Sequence, residues 1–107
     1  MKLLAPEILQ QLPAVILPRL VVMFGDGTPP ILSEIRQYAD AGDLHAMGKS
    51  AHKLKGSCVS LGAEHMAELC KQLQHKGENN DAEGVSDMLE ELELLYPMTL
   101  EALQEAV

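Results

Sequence analysis

The sequence predicts an all-α protein: an up-and-down antiparallel four-helix bundle with an additional short helix at its N-terminus. Apolar residues make up 47% of the 107 residues but aromatic residues only 3%, so the core consists mainly of aliphatic side chains, which suit helix-on-helix packing. Gly, Pro and Asn cluster at a few places instead of recurring about every eight to twelve residues, which disfavours a β-sandwich or barrel. The length predicts a single domain over residues 1–107.

The first quarter of the chain predicts two helical segments. Residues 1–12 form the short N-terminal helix, and a second helix follows from Pro13, with Pro18 early in it or kinking it. Gly25-Asp26-Gly27 is expected to end this segment. Its expected buried residues are Val15, Ile16, Leu20, Met23 and Phe24.

A new helix is then predicted from Thr28-Pro29-Pro30, because Thr is a good N-cap and Pro is favoured at the first helical position. Gly42 suits the left-handed position that closes this helix, and Asp43 can cap the next one. The helix from Asp43 to Gly62 carries apolar residues at alternating steps of three and four, which form one buried stripe: Leu44, Met47, Ala51, Leu54, Cys58 and Leu61.

Two more helices are predicted after Gly62. The first has the apolar stripe Met66, Leu69, Cys70 and Leu73, and Gly77 is expected to break it. Asn80 to Glu83 resembles a capping box before a long amphipathic run, which Pro97 should break or kink. Short connections between successive helices favour antiparallel neighbours.

Composition excludes several classes of function. The net charge of −8 argues against nucleic acid as the main partner. Residues 13–24, the most apolar stretch, are interrupted by Pro18 and Arg19 and are too short to span a bilayer, and no N-terminal signal pattern is visible, so we expect a cytoplasmic protein without direct membrane insertion. Cys58 and Cys70 lie on apolar stripes, which favours buried free thiols over a disulfide.

His52 stands out on the helix from Asp43 to Gly62. It follows the stripe residue Ala51, about 100° further round the helix, so its ring should point away from the core. Gly48 and Gly56 lie one turn before and after it, and each costs a helix interior about 1 kcal/mol relative to Ala. We interpret both glycines as leaving the ring accessible to a bulky partner.

A local positive patch surrounds this histidine. Lys49, Lys53 and Lys55 are three of the chain's eight basic residues. An exposed imidazole among cations suits the binding of a phosphoryl group. His45, His65 and His75 are expected to be surface residues, because none lies three or four residues from another histidine, and no metal site is predicted.

The segments Ala51-His52-Lys53-Leu54-Lys55-Gly56-Ser57, Leu61-Gly62-Ala63, Leu69-Cys70 and Leu73-Gln74 resemble the signature of histidine-containing phosphotransfer (HPt) domains. The match is strong from Ala51 to Gln74, and over the rest of the chain it extends to hydrophobic pattern and length. The resemblance implies that the chain takes part in a phosphorelay, in a two-component signal transduction system.

The resemblance also assigns roles to residues. His52 would accept a phosphoryl group from the aspartyl phosphate of a receiver domain and pass it to another receiver aspartate. Gln74 would hold the tautomer of His52, Lys55 would neutralise phosphoryl charge, and Gly56 would leave room for the receiver's active site.

The expected docking surface comprises Val59 and part of the segment from Val15 to Leu20. Lys49 and Lys53 either contact the partner's acidic pocket or form an ordinary solvated face.

The domain would have no autokinase activity and no cofactor, since it lacks a nucleotide-binding glycine loop and a carboxylate cluster for magnesium. Magnesium would come from the partner receiver domain. A hybrid sensor histidine kinase is a further candidate partner, and the chain is either free-standing or the last domain of such a kinase. Two alternatives remain: a helical adaptor whose histidine is never phosphorylated, and an enzyme that uses His52 as a general base.

Overall fold

The computed structural model describes residues 1–107 as five helices without strands. The bounds are α1 Pro6–Gln11, α2 Leu17–Asp40, α3 Leu44–Ser60, α4 Glu64–Glu78 and α5 Val85–Glu105. The four long helices pack side by side, and short connections make successive helices antiparallel. The predicted bundle with a short additional N-terminal helix is therefore confirmed. No helix of the bundle combines the length and the apolar character that a bilayer-spanning segment requires.

The core of the bundle lies along α3 and α4, as their apolar stripes predict. Every residue of both predicted stripes is buried, and Met47, Ala51 and Leu54 have no exposed surface. Because the stripe fixes the rotation of α3 about its axis, the opposite side of α3 faces outward. That rotation decides which side chains of α3 reach solvent.

Left-handed glycines end α2 and α3 where the sequence predicts. Gly42 has φ 74°, and its N–H bonds to the carbonyl of Ala39 while the N–H of Asp43 bonds to that of Tyr38. Gly62 has φ 69° and closes α3 in the same way. Asp43 caps α3, its Oδ1 accepting from the N–H of Ala46 at 3.2 Å.

The prediction of a break at Gly25-Asp26-Gly27 and a new helix at Thr28-Pro29-Pro30 is wrong. α2 runs through both segments, and Thr28 is a buried interior residue. Pro29 has no N–H to give the carbonyl of Gly25, four residues earlier. The hydroxyl of Tyr96 on α5 donates to that carbonyl instead, at 3.0 Å, so a tertiary hydrogen bond replaces a helical one.

The buried set predicted for this region is mostly wrong as well. Val15, Ile16 and Met23 are exposed, Leu20 is half-buried, and only Phe24 lies in the core. Because α2 begins at Leu17 and continues without a break, a different row faces inward: Leu17, Val21, Phe24 and Thr28.

The predicted end of α4 at Gly77 is one residue early, and the capping box predicted from Asn80 is wrong. Gly77 is buried inside α4, which ends one residue later at Glu78. The chain then turns at Asn80, whose φ of 48° closes α4 in the left-handed position, so Asn80 does not cap the start of α5. α5 begins at Val85, and it continues through Pro97 without ending there.

The two cysteines are free and buried, as predicted. Their thiols meet between α3 and α4, where a hydrogen bond with Cys58 and burial together raise the pKa of Cys70. The interior thus favours the protonated form of the Cys70 thiol, which packs like a small apolar side chain.

The replacement hydrogen bond on α2 predicts the effect of one mutation. Tyr96→Phe should lower the free energy of unfolding by about 1 to 2 kcal/mol, because the carbonyl of Gly25 loses its partner while the ring still packs on Phe24. Urea denaturation measures the change. The matched control, Tyr38→Phe on the exposed side of α2, should stay within about 0.5 kcal/mol of the parent. Equal effects of the two substitutions would contradict this account of Pro29.

Candidate functional site

His52 lies on the outward side of α3, at the edge that faces α4. Its side chain is exposed, as the position beside the buried stripe predicts. Nδ1 lies 3.0 Å from Oε1 of Gln74 on α4. The contact between His52 and Gln74 that the sequence suggested is therefore present.

A third side chain fixes the chemistry of this contact. Nζ of Lys55 donates to the same Gln74 Oε1 at 3.0 Å. Because an ammonium group can only donate hydrogen bonds, the atom between Lys55 and His52 must be the amide oxygen and not the nitrogen. An oxygen without hydrogen can only accept, so Nδ1 of His52 carries the proton. The lone pair of the neutral imidazole then lies on Nε2.

The path of the chain explains why these three residues meet. α3 and α4 are antiparallel and joined at the tight turn around Gly62. His52 and Gln74 lie at similar sequence distances before and after that turn, so they stand opposite one another. Lys55 is three residues beyond His52, on the same side of α3.

The three lysines of the predicted positive patch have different surroundings. Lys55 is half-buried and bonds to Gln74, as described above. Lys53 instead lies 3.5 Å from Oε1 of Glu34 on α2, an oxygen that also accepts from the hydroxyl of Ser50 at 3.1 Å. Lys49 is exposed beside His52. Only Lys55 is bonded to the contact between His52 and Gln74.

The two glycines that flank His52 also differ. A Cβ atom at Gly56 would meet nothing within 4 Å, so this side of the ring is open. Gly48 is buried, and its Cβ would lie 3.0 Å from the Cα of Gly77 and 3.1 Å from the carbonyl oxygen of Gln74. The missing side chain of Gly48 therefore admits the close approach of α4, and its role in access for a partner stays a prediction.

A polar depression of about 290 Å³ adjoins the ring on the side of Gly48. Its lining residues are His45, Gly48, Lys49, His52, Gln74 and Glu78. The sequence analysis left out His45 as a surface residue and did not consider Glu78. Their positions, seven residues before His52 and four after Gln74, place them along the same two rows and could have drawn attention to them.

Apolar surface lies on the side of Gly56. Val59 is 58% exposed, and a groove of about 260 Å³ between α2 and α3 is lined in part by Leu20, Met23, Ser57 and Ser60. Val15 and Ile16 are exposed just before α2. Of the residues named as a docking surface, Val59, Val15 and Ile16 are thus exposed, whereas Leu20 is half-buried.

Comparison with protein families gives an assignment for this fold and its exposed histidine. The family model described as the Hpt domain matches residues 19–106, which include all four long helices except the first two residues of α2. The chain belongs to the Hpt domain family. Hpt domains are phosphocarrier modules of two-component systems that interact with the receiver domains of response regulators, and a phosphotransfer role follows for this chain.

A solved structure supports the fold of this Hpt domain over nearly its whole length. The crystal structure of histidine-containing phosphotransfer protein B (HptB) from Pseudomonas aeruginosa PAO1 superposes with a TM-score of 0.90 and 22% identity. The alignment covers 97% of this chain and 93% of that one. No curated protein matches the chain.

The shared amide oxygen predicts a measurable property of His52. ¹⁵N NMR of the imidazole should show the Nδ1–H tautomer at neutral pH, and Gln74→Ala should turn it into a mixture of the two tautomers because no acceptor holds the proton on Nδ1. Gln72→Ala is the matched control, since Gln72 lies on the same helix and bonds to Glu68 instead. An unchanged tautomer in Gln74→Ala would show that the amide does not set it.

Proposed function

We propose that His52 is the phosphorylated residue of a phosphorelay intermediate. It accepts a phosphoryl group from the aspartyl phosphate of a receiver domain and passes it to an aspartate of another receiver. The observation that carries the proposal is the Gln74 oxygen shared by His52 and Lys55, which leaves the lone pair on the exposed ring's Nε2. Exposure and a fixed tautomer are the two properties that a nucleophilic imidazole requires.

The transfer is a displacement at phosphorus. The lone pair of Nε2 attacks the phosphorus atom, the N–P bond forms, and the P–O bond to the receiver's carboxylate breaks with its electron pair remaining on that carboxylate. Nδ1 keeps its proton, so the phosphorylated ring is cationic, and the oxygen of Gln74 stabilises the N–H that carries this charge. In the second half of the relay, a carboxylate of the next receiver attacks phosphorus and the N–P electrons return to Nε2.

Lys55 supplies a positive charge beside the ring, since its Nζ and Nδ1 of His52 share the oxygen of Gln74. A phosphoryl group on an amino-acid side chain carries about two negative charges near neutral pH. Lys55 is held by Gln74 beside the ring and can exchange that bond for one to a phosphoryl oxygen. Lys49 adds to the local field, whereas Lys53 is occupied by Glu34.

The partner surface extends from the open side of the ring. Gly56 admits the rim of a receiver's active site, and Val59 with Leu20 and the residues before it offers apolar surface for docking. The receiver supplies the magnesium ion that stabilises the transferring phosphoryl group. The chain is accordingly a carrier without a cofactor or autokinase activity.

The proposal treats residues 1–107 as one cytoplasmic Hpt domain. A hybrid sensor histidine kinase and the receivers of response regulators are its proposed partners. The same chemistry applies whether the domain is free-standing or the last part of such a kinase, because the site consists of α3 and α4 alone.

The direct test is phosphoryl transfer from a receiver labelled on its aspartate. The parent protein should take up label in an acid-labile, alkali-stable form, as expected for a phosphoramidate, and His52→Gln should take up none. Return of the label to a second, unlabelled receiver tests the other half of the relay. Label on His52→Gln would contradict the assignment, and no label on the parent protein would favour the adaptor alternative.

The different surroundings of two lysines give a second test of the same reaction. Lys55→Ala should slow transfer by about ten-fold or more, since a hydrogen bond to a charged group contributes about 1.5 to 3 kcal/mol. The matched control is Lys53→Ala, which removes the same charge from a lysine that pairs with Glu34 and not with Gln74. It should change the rate by less than about two-fold, because a screened surface charge contributes little. The two rates are measured by single-turnover transfer from the labelled receiver. Equal slowing by the two substitutions would mean that the rate depends on the net charge of the domain and not on the position of Lys55.

A further inference from the structure

We infer that Gly48 is a positioning residue for His52, because its contact with α4 sets the separation at which Gln74 reaches the ring. Gly48 is one turn before His52 on α3, and it packs directly on the backbone of the residue that holds the imidazole. The rate readout below rests on the proposed function, whereas the tautomer readout does not.

The contact is too close for a side chain on Gly77, and a side chain on Gly48 would require the backbone of α4 to shift by a few tenths of an ångström. A Cβ atom on Gly48 would lie 3.0 Å from the Cα of Gly77, 3.1 Å from the carbonyl oxygen of Gln74 and 3.6 Å from its Cα. From the other side, a Cβ on Gly77 would lie 2.7 Å from the Cα of Gly48 and 2.5 Å from the carbonyl oxygen of Leu44. The two backbones therefore meet here, and the neighbouring atoms are main chain and cannot rotate away.

The site is sensitive to this separation. Oε1 of Gln74 lies 3.0 Å from Nδ1 of His52 and 3.0 Å from Nζ of Lys55. Good N–H···O bonds have donor–acceptor distances of about 2.7 to 3.2 Å, so a displacement of α4 by about 0.5 Å weakens both. A methyl group at Gly48 would push on the backbone of Gln74 itself, so the side-chain amide of Gln74 would move away from the ring together with that backbone.

Gly56 shows that this role is not common to every glycine beside the ring. It lies one turn after His52, as Gly48 lies one turn before, and yet a Cβ there would meet nothing within 4 Å. The two glycines that flank the histidine thus serve different purposes: Gly48 brings α4 to the ring, and Gly56 leaves the opposite side open.

The test replaces Gly48 by Ala in a stabilised parent. Gly27→Ala supplies that parent, because Gly27 is an exposed interior residue of α2 with nothing within 4 Å of the added atom, and Ala favours the helix. ¹⁵N NMR of His52 and the rate of transfer from a labelled receiver are then compared for Gly27→Ala with and without Gly48→Ala. Gly56→Ala serves as the control for the NMR spectrum alone.

Gly48→Ala should convert the Nδ1–H tautomer into a mixture and slow transfer as much as Gln74→Ala does. Adding Gln74→Ala to Gly48→Ala should slow transfer no further, because both substitutions remove the same interaction. Gly56→Ala should leave the tautomer unchanged. These readouts separate positioning from stability, since loss of stability alone changes neither the tautomer of the folded state nor the additivity of the two substitutions.

An unchanged tautomer in folded Gly48→Ala, or slowing that adds to that of Gln74→Ala, would overturn the inference. If Gly48→Ala is not fully folded in the stabilised parent, trimethylamine N-oxide restores the compact state and the same spectra decide the question. If the parent itself accepts no label, the proposed function fails, and the spectra still test the positioning role.

Discussion

The site depends on the close antiparallel packing of α3 and α4. This pair carries the buried stripes that form most of the core, and its shared edge carries His52, Lys55 and Gln74. Neither helix could hold the imidazole alone, because the ring and the amide oxygen that accepts its N–H come from opposite sides of the contact. Apolar burial on one side of each helix thus determines the protonation pattern on the other.

In the proposed function, this chain supplies the imidazole and the receiver supplies the phosphoryl group and the magnesium ion. The chain presents an oriented lone pair and one ammonium group, and it has no cluster of three or more His, Cys, Asp or Glu side chains that could hold a metal ion. In the proposed reaction the partner brings the phosphoryl group, and the open side of the exposed ring is where that partner approaches. The negative charge of the rest of the molecule makes the lysines around His52 a local exception.

Much of the fold and the outward position of His52 could be predicted from sequence because their determinants are local, whereas the roles of Gln74 and Lys55 came from the resemblance to HPt domains. The three-four spacing fixed which side of α3 is buried, and hence where His52 points; the caps at Gly42, Asp43 and Gly62 are short-range backbone chemistry. The errors arose where a distant residue replaces a local interaction. Tyr96 supplies the donor that Pro29 lacks, so α2 continues, and Gly48 and Gly77 serve a contact between helices that no single helix reveals.

The bond between Tyr96 and Gly25 has a consequence for how the chain assembles. The two residues are 71 positions apart, and the proline pair denies the middle of α2 part of its own backbone ladder. A nascent chain that does not yet include Tyr96 lacks this donor, so the carbonyl of Gly25 is left to bond water. The longest helix of the bundle therefore depends on the last one for a hydrogen bond at its middle.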